Sequence, residues 1–301
     1  MVVETPQGKA DIGEQGLLDE IMKVIVAGSK GMLAQDLIPL LTEQHETSFF
    51  DQDEVDITDE KRVFEFVGSV QPDLVINCAA YNQVDQAETD RETAFRVNAD
   101  GVKHLALACK AFESVLCHFS TDYVFDGKGN RPYQPDDDPN PISVYGESKR
   151  AGEVFVQSIL DHYYLIRTSS LYGKHGPNFV HTILRLAQEQ DVLKVVQDQV
   201  MSPTWTVSLA RGAIQLIESG NSGTYHLTDR TDGGISWFEF AQEILRLKGL
   251  ENRVEPTMSE EFARPARRPA YSVLDTSLFT QRSGHEPIWW QQALKRFLDA
   301  M

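Results

Sequence analysis

Short apolar runs alternate with amphipathic stretches through the first half of the chain. The runs are rich in β-branched residues and end in small or polar residues, whereas the stretches between them have the helical period, so strands and helices alternate. This pattern predicts an α/β fold with a doubly wound parallel sheet. Strands are predicted at Lys23–Ala27, Thr47–Phe50, Leu74–Cys78, Val115–Phe119 and Tyr163–Arg167, and helices at Gln35–Glu43, Glu60–Val67 and Thr89–Phe112.

The pattern changes after Arg167. It predicts a helix at Phe179–Gln188, a strand at Leu193–Val196, a loop at Gln197–Trp205, a helix at Thr206–Ile217, a strand at Thr224–Leu227 and helices at Trp237–Lys248 and Trp289–Met301. We expect a larger domain at residues 22–168, completed by about 196–229, and a smaller C-terminal α/β substrate-binding domain formed by 169–195 and 230–301. Residues 1–21 precede a second methionine and are expected to be a mobile extension.

A glycine turn separates the first predicted strand from the first predicted helix. Its spacing, Gly28-x-x-Gly31-x-x-Ala34, lets the backbone approach a pyrophosphate, and the helix that follows presents free N–H groups to it. Strand, glycine turn and helix are the context of a dinucleotide-binding fingerprint, although an ordinary turn would look similar. Asp51 lies about 20 residues beyond the turn, where a carboxylate accepts from ribose hydroxyls and favours NADH. Residues 22–168 are thus interpreted as a dinucleotide-binding Rossmann domain.

Small and hydroxyl-bearing residues follow two further strands. Ala79 and Ala80 come after the third strand and leave room for a ligand at the carboxyl edge of the sheet. Ser120 and Thr121 end the central strand, where a hydroxyl would hold a substrate carbonyl. The alternative for this pair is a simple serine/threonine turn.

Tyr145 and Lys149 are four residues apart in a predicted helix and therefore share one of its faces. An ammonium group held near a phenol lowers its pKa from about 10, which makes the tyrosine a usable general acid or base. A solvated helix face gives the same spacing by chance. The catalytic interpretation is therefore favoured by the dinucleotide turn upstream and not by the spacing alone.

Composition narrows the classes of function. The 301 residues carry a formal net charge of −17, which argues against a nucleic-acid partner. No apolar run reaches the roughly 20 residues that a membrane helix needs, so no membrane partner is expected. The cysteines, Cys78, Cys109 and Cys117, lack metal-ligand spacing, so we predict no metal site, no disulfide framework and a cytoplasmic location.

From Met22 to its end, the chain resembles the extended short-chain dehydrogenase/reductase superfamily, and more narrowly the dTDP-4-dehydrorhamnose reductase family. The broader resemblance rests on the glycine turn, on Asn77-Cys78-Ala79-Ala80, on Thr121 and on the Tyr145/Lys149 pair. The narrower one rests on Ala79-Ala80-Tyr81 with Val84-Asp85-Gln86-Ala87-Glu88, Ser120-Thr121-Asp122-Tyr123-Val124-Phe125-Asp126-Gly127, Asp198-Gln199 with Ser202-Pro203-Thr204, and Arg268-Pro269 with Ser272-Val273-Leu274-Asp275.

The resemblance implies reduction of the C4 ketone of dTDP-4-dehydro-L-rhamnose by hydride from NADPH or NADH. It implies that Tyr145 protonates the developing alkoxide, that Lys149 lowers the pKa of the phenol and holds the nicotinamide ribose, and that Thr121 hydrogen-bonds the carbonyl oxygen. The implied cofactor-binding residues are Gly28, Gly31, Met32, Leu33, Asp51, Asp56, Ile57, Ala79, Ala80, Tyr81, Tyr145 and Lys149.

Substrate contacts are implied in the same way. Thr121, Asp122 and Tyr145 would contact the sugar of a dTDP-sugar substrate. Arg268 is the candidate for its diphosphate, ahead of Arg264 and Arg267, for which a solvated basic loop is the alternative. Some members of the family form Mg²⁺-linked dimers, so a homodimer and a Mg²⁺ dependence remain open.

The chain departs from the family at two positions, and other functions stay open. Ser170 stands where members usually carry a tryptophan against the sugar, so another nucleotide 4-keto-6-deoxy sugar is an alternative substrate, and Ala34 replaces a frequent glycine. Tyr123 stands where related 4,6-dehydratases carry glutamate, which favours reduction over elimination. Epimerases remain possible within the superfamily. A non-catalytic alternative is a dinucleotide-binding regulatory subunit like that of methionine adenosyltransferase.

Overall fold

The computed structural model describes residues 21–262 and 264–301, so all but the last residue of the predicted N-terminal extension lies outside it. The predicted α/β fold with a parallel doubly wound sheet is confirmed. The strands are β1 Lys23–Ala27, β2 Glu46–Phe50, β3 Leu74–Asn77, β4 Val115–Thr121, β5 Tyr163–Thr168, β6 Leu171–Tyr172, β7 Val192–Val196, β8 Val200–Met201, β9 Thr204–Trp205, β10 Gly223–His226, β11 Ile235–Ser236 and β12 Arg253–Thr257.

Six strands form the central sheet in the order β2-β1-β3-β4-β5-β10, and every neighbouring pair is parallel. From β1 the chain goes to one side to form β2 and then to the other side to form β3. The loops that leave the carboxyl ends of β1 and β3 therefore diverge, and the crevice between them is where doubly wound sheets bind ligands.

Helices cover both faces of this sheet. They are α1 Met32–Thr42, α2 Glu60–Val70, α3 Val84–Ala87, α4 Arg91–Phe95, α5 Val102–Ala111, α6 Val144–Ile159, α7 Phe179–Glu189, α8 Thr206–Glu218, α9 Trp237–Lys248, α10 Ser277–Ser283 and α11 Trp290–Asp299. α1 and α8 bury Leu37 and Leu209 on one face, and α2, α5 and α6 bury Val63, Leu105 and Val156 on the other. Among the described residues, no helix has the length and apolar composition that a bilayer crossing requires.

A third apolar core lies in the C-terminal part of the chain. It joins α7, α9 and α11 through aromatic residues such as Tyr172, Phe240 and Phe297. β7 and β12 form a separate parallel pair beside these helices and do not join the central sheet. The exact boundaries of the two domains stay a prediction.

Several predicted helices differ in extent from those in the structure, and two of them border the crevice. α1 begins at Met32 and not at Gln35, because Gly31 already has the extended backbone of an N-cap. The predicted helix Thr89–Phe112 is divided into α4, a π-helical segment Arg96–Gly101, and α5. The π-helical segment brings Asn98 against α6, where a Cβ added at Gly152 would overlap the Asn98 carbonyl oxygen.

The C-terminal part contains elements that the pattern did not predict. The predicted loop Gln197–Trp205 includes β8 and β9, which pair with β11 and β6. These strands have two residues each, which is too short for a period of two to be recognised. β12 was missed because it contains Pro256, and α10 because it has only seven residues.

The close approach of α6 to the π-helical segment predicts that Gly152→Ala destabilises the protein. The added methyl group would force the two helices apart at a buried contact, so we expect the free energy of unfolding to fall by about 2 kcal/mol. Urea unfolding followed by circular dichroism measures this change.

Ser158→Ala is the matched control, because Ser158 is an exposed residue of the same helix. Equal stability of Gly152→Ala and the wild type would show that the contact is not tight.

Candidate active site

The glycine turn directly follows β1 and contacts the first residues after β3, at the base of the crevice. Gly28 has a φ of +77°, and a Cβ added there would lie 2.6 Å from the backbone nitrogen of Ala79, so only glycine fits. Within residues 21–262 and 264–301, no side chain caps the first turn of α1, whose N-cap is Gly31. The N–H groups of Met32 and Leu33 therefore remain available to an anion, and the turn suits a pyrophosphate.

The structure brings the end of β2 to this turn. An Asp51 carboxylate oxygen accepts the backbone N–H of Lys30 at 2.8 Å, and the Lys30 ammonium pairs with Asp53 at 2.6 Å. Both partners of that ion pair are exposed, so the pair adds little stability. The position of Asp51 suits a ribose contact, and that role stays a prediction.

Asp56 and Ile57 lie further along the loop after β2. Asp56 is partly exposed, and its carboxylate accepts the N–H of Thr58 at 2.9 Å. The Ile57 side chain, in contrast, is buried in the core against Gly101. A cofactor contact through the Ile57 side chain is therefore not supported by this geometry, whereas Asp56 remains a candidate.

Asn98 connects the segment after β3 to α6. Its amide exchanges two hydrogen bonds with the backbone of Tyr81, at 2.8 and 3.0 Å, and donates a third to the Ser148 hydroxyl at 3.0 Å. Ala79, Ala80 and Tyr81 are thereby held beside the glycine turn and close to the helix that carries Tyr145. No local sequence pattern marks Asn98 as a site residue, because its partners are remote in the chain.

Tyr145 and Lys149 lie at the start of α6, whose N-cap is Ser143. The Lys149 ammonium is buried and donates to the carbonyl oxygen of Phe119 in β4 at 2.6 Å. Burial lowers the pKa of Lys149 to about 8. Burial raises the pKa of Tyr145 to about 12, although an interaction with the hydroxyl of Thr121 opposes this shift.

The role of Lys149 in lowering the pKa of Tyr145 stays a prediction. Among the described residues, Thr121 and Asp122 are the side chains that shift the pKa of this phenol. The Lys149 ammonium is bound to the main chain of β4 at Phe119. A phenol with a pKa of about 12 is protonated at neutral pH, which is the state that a proton donor needs.

Asp122 is buried directly after Thr121 and is surrounded by hydroxyl groups. It accepts hydrogen bonds from Thr121 at 3.0 Å and from Ser169 at 2.8 Å, and Ser272 adds a third. Burial raises the pKa of Asp122 to about 6, and these hydrogen bonds limit the shift. Because its oxygens are occupied, Asp122 is placed to orient Thr121 more directly than to bind a sugar.

Tyr123 packs its ring edge-on against Tyr145, with 5.8 Å between the ring centroids. Arg268, the candidate for a diphosphate, interacts with the Tyr123 phenol and forms a bidentate ion pair with Asp85 at 2.9 and 3.0 Å. Its guanidinium is therefore largely occupied by protein groups. Arg264 and Arg267 are exposed beside it and have more freedom to meet a ligand.

Ser170, at the position of the missing tryptophan, follows β5 at the edge of this site. It has a φ of +50°, which is uncommon for a residue other than glycine, and its carbonyl oxygen accepts the N–H of Thr204. In the part of the chain that the structure describes, no group of three or more His, Cys, Asp or Glu side chains is arranged to hold a metal ion.

Sequence reasoning gave no role to two carboxylates near this site, Asp85 and Glu88. Asp85 binds Arg268, and Glu88 accepts the backbone N–H of Val144 at 2.9 Å. A signal was present, because the two acidic residues are three positions apart at a one-turn helix. Their partners, however, lie more than fifty positions away in the chain.

A glycine turn at the switch point of a doubly wound sheet, with a protonated tyrosine and a buried lysine at the same edge, defines a dinucleotide-dependent oxidoreductase of the short-chain dehydrogenase/reductase type. The family model described as "RmlD substrate binding domain" matches residues 22–301. The chain belongs to this family.

Named relatives agree with this membership. A dTDP-4-dehydrorhamnose reductase from Streptomyces griseus is 43% identical over 286 residues, covering 92% of this chain and 93% of its own length. A dTDP-4-keto-6-deoxy-D-glucose reductase from Streptomyces niveus is 38% identical over 274 residues, covering 90% and 94%. The crystal structure of a dTDP-4-dehydrorhamnose reductase from Bacillus anthracis in complex with NADP has a TM-score of 0.90 at 38% identity, covering 94% of this chain and all of that one.

The raised pKa of Asp122 predicts a pH-dependent contribution to stability. In the unfolded chain its pKa is about 3.9, so the folded protein retains a proton that the unfolded chain has lost, and stability falls as pH rises through about 6. Asp122→Asn removes this titration. We therefore expect the stability of the wild type relative to Asp122→Asn to decrease between about pH 4 and 7 and then to level off.

Urea unfolding across this pH range measures the difference. Asp161→Asn, at an exposed position, is the control and should show no such decrease. A difference between wild type and Asp122→Asn that is constant with pH would contradict the assignment of the titration to Asp122.

Proposed function

We propose that this protein reduces the C4 ketone of dTDP-4-dehydro-L-rhamnose to dTDP-L-rhamnose, with NADPH or NADH as the reductant. The observation that carries the proposal is the protonated Tyr145 phenol beside Thr121, at the crevice that the glycine turn borders. Family membership supports the reaction class, because relatives of this chain are named as reductases of dTDP-linked keto sugars.

The residues at the crevice fit a dinucleotide. Gly28 admits a close backbone approach, and the N–H groups of Met32 and Leu33 are placed to receive the pyrophosphate. Asp51 and Ala79 would border the adenosine ribose and the centre of the cofactor. When bound, NADPH or NADH supplies the hydride that reduces the ketone carbon.

Proton transfer belongs to the protein. Tyr145 donates its phenolic proton to the ketone oxygen, and Thr121 turns its hydroxyl from Asp122 to the same oxygen as negative charge develops there. The carboxyl group of Asp122 fixes the starting position of the Thr121 hydroxyl. Two donors would thus converge on one oxygen at the end of β4.

Lys149 supplies positive charge beneath this site. With a pKa of about 8 it is mostly protonated at neutral pH, and the Phe119 carbonyl holds it in place. Once Tyr145 has given up its proton, an ammonium one helical turn away stabilises the resulting phenolate. The same interaction would lower the pKa of the phenol, so Lys149 assists the proton transfer from Tyr145, which begins as a neutral acid.

A second sugar is favoured by one observation. Ser170 leaves the tryptophan position empty of an aromatic ring, and the relative from Streptomyces niveus is named for a different dTDP-keto sugar. A reductase of another nucleotide 4-keto-6-deoxy sugar is therefore the alternative function.

We place the reaction in the cytoplasm, because Cys78, Cys109 and Cys117 are free thiols. A homodimer, Mg²⁺ and the domain boundaries stay predictions.

Turnover by purified protein tests the proposal. NADPH or NADH should be oxidised when dTDP-4-dehydro-L-rhamnose is added, and Tyr145→Phe should lower the rate by about a hundredfold or more, because the proton donor is lost. Dinucleotide affinity should change little. Consumption of the reduced cofactor, followed by its absorbance, measures the rate.

Tyr163→Phe, at the start of β5 and away from the carboxyl edge of the sheet, is the matched control and should retain activity. An active Tyr145→Phe would remove the proposed mechanism. Dinucleotide binding without turnover of any keto sugar would favour the regulatory-subunit alternative.

A further inference from the structure

Residues 84–88 hold two carboxylates that the mechanism above does not use. They include α3, the one-turn helix that follows the cofactor-side residues Ala79–Tyr81. Asp85 and Glu88 do not bind each other but reach two different parts of the chain. Both of these parts border the candidate active site.

Asp85 holds the arginine segment, residues 264–268. Its carboxylate accepts two hydrogen bonds from Arg268, at 2.9 and 3.0 Å, and one from the backbone N–H of Ala266 at 3.3 Å, and it also pairs with Arg264 at 3.4 Å. The hydrogen bonds from Arg268 lower the pKa of Asp85, so the carboxylate is ionised. A bidentate, partly buried pair of this kind fixes geometry as well as charge.

The residues that follow Arg268 pack against the segment after β4, which includes Asp122 and Gly127. Arg268 interacts with the phenol of Tyr123, whose ring contacts Tyr145. The backbone of Pro269 lies so close to Gly127 that a Cβ there would overlap it, and the Ser272 hydroxyl reaches Asp122. A displacement of the arginine segment would therefore be transmitted to the substrate side of the site.

Glu88 holds the first turn of the catalytic helix. Its carboxylate accepts the backbone N–H of Val144, the residue before Tyr145, at 2.9 Å. The first N–H groups of a helix have no partner within the helix, so an external acceptor fixes where the helix begins. Ser143 accepts the N–H of Gly146 in the same turn. Glu88 thereby fixes the position of the first turn of α6 and, with it, the position of the Tyr145 side chain.

We propose that Asp85 and Glu88 are positioning residues for the reduction, with separable effects. Asp85 sets the arginine segment that receives the substrate diphosphate, and Glu88 sets the proton donor Tyr145. The inference rests on the proposed function. Residues 84–88 would in this way align the arginine segment with α6, the helix that carries Tyr145.

The two roles predict changes in different kinetic constants. Asp85→Asn should raise KM for the dTDP-keto sugar about tenfold and leave kcat within about twofold, because substrate placement is weakened. Removal of a negative charge near a diphosphate would by itself lower KM, so an increase reports lost positioning. Glu88→Ala should lower kcat about tenfold with little change in KM, because Tyr145 is misplaced in the transition state.

Control variants separate positioning from general damage. Glu88→Gln keeps an acceptor oxygen and should restore most of kcat. Glu147→Gln breaks the exposed Arg91–Glu147 ion pair, which joins α4 to the same turn of α6, and should change neither constant. An unchanged KM in Asp85→Asn together with an unchanged kcat in Glu88→Ala would overturn the inference.

Hydrogen exchange of the ligand-free protein gives a readout that does not depend on turnover. Amide protection should fall at 264–270 in Asp85→Asn and at 144–148 in Glu88→Ala, with the rest of the sheet unchanged, which also shows that the variants fold. Unchanged protection in both variants would overturn this inference alone. A wild-type protein that reduces no keto sugar would instead overturn the proposed function.

Discussion

The buried ion pair between Glu153 in α6 and Arg167 in β5 is the interaction on which the rest of the site depends. The two side chains are almost fully buried and meet through two hydrogen bonds, at 2.8 and 2.9 Å. Loss of one partner from such a pair costs about 3–5 kcal/mol, because it leaves a buried charge without compensation. The pair fixes the catalytic helix on the sheet one turn beyond Lys149. Arg167 also donates to the carbonyl oxygen of Pro135, so the same charge anchors the loop that leads into α6.

This anchorage explains the protonation states at the site. Lys149 is buried, which lowers its pKa to about 8, but the negative charge of Glu153 opposes that shift and keeps the lysine cationic at neutral pH. Burial has the opposite effect on the tyrosine, since it favours the neutral phenol. The structure thus combines a neutral acid, Tyr145, with a fixed cation beneath it. This pair suits a reductase, because the phenol donates a proton and the nearby ammonium stabilises the phenolate that remains.

Local sequence patterns were sufficient for the parts of the site that depend on short spacings. The glycine turn, the Thr121 strand end and the Tyr145/Lys149 pair each follow from residues close together in the chain, and the structure brings all three to one edge of the sheet. Contacts between distant residues were not accessible in this way. Asp85 and Arg268 are 183 positions apart, and the partner of Lys149 is a main-chain carbonyl, which no side-chain pattern reveals. The π-helical turn at Asn98 was also missed, and its close contact with Gly152 again joins residues that are remote in the chain.

The central claim is that a hydride reaches C4 of a dTDP-linked keto sugar at this site while Tyr145 supplies the proton. The most direct test uses NADPH or NADH with deuterium at the transferable position and mass spectrometry of the sugar product. We expect dTDP-L-rhamnose with one deuterium bound to C4 and a proton from solvent on its oxygen. A product without deuterium at C4, or cofactor binding without any product, would contradict it.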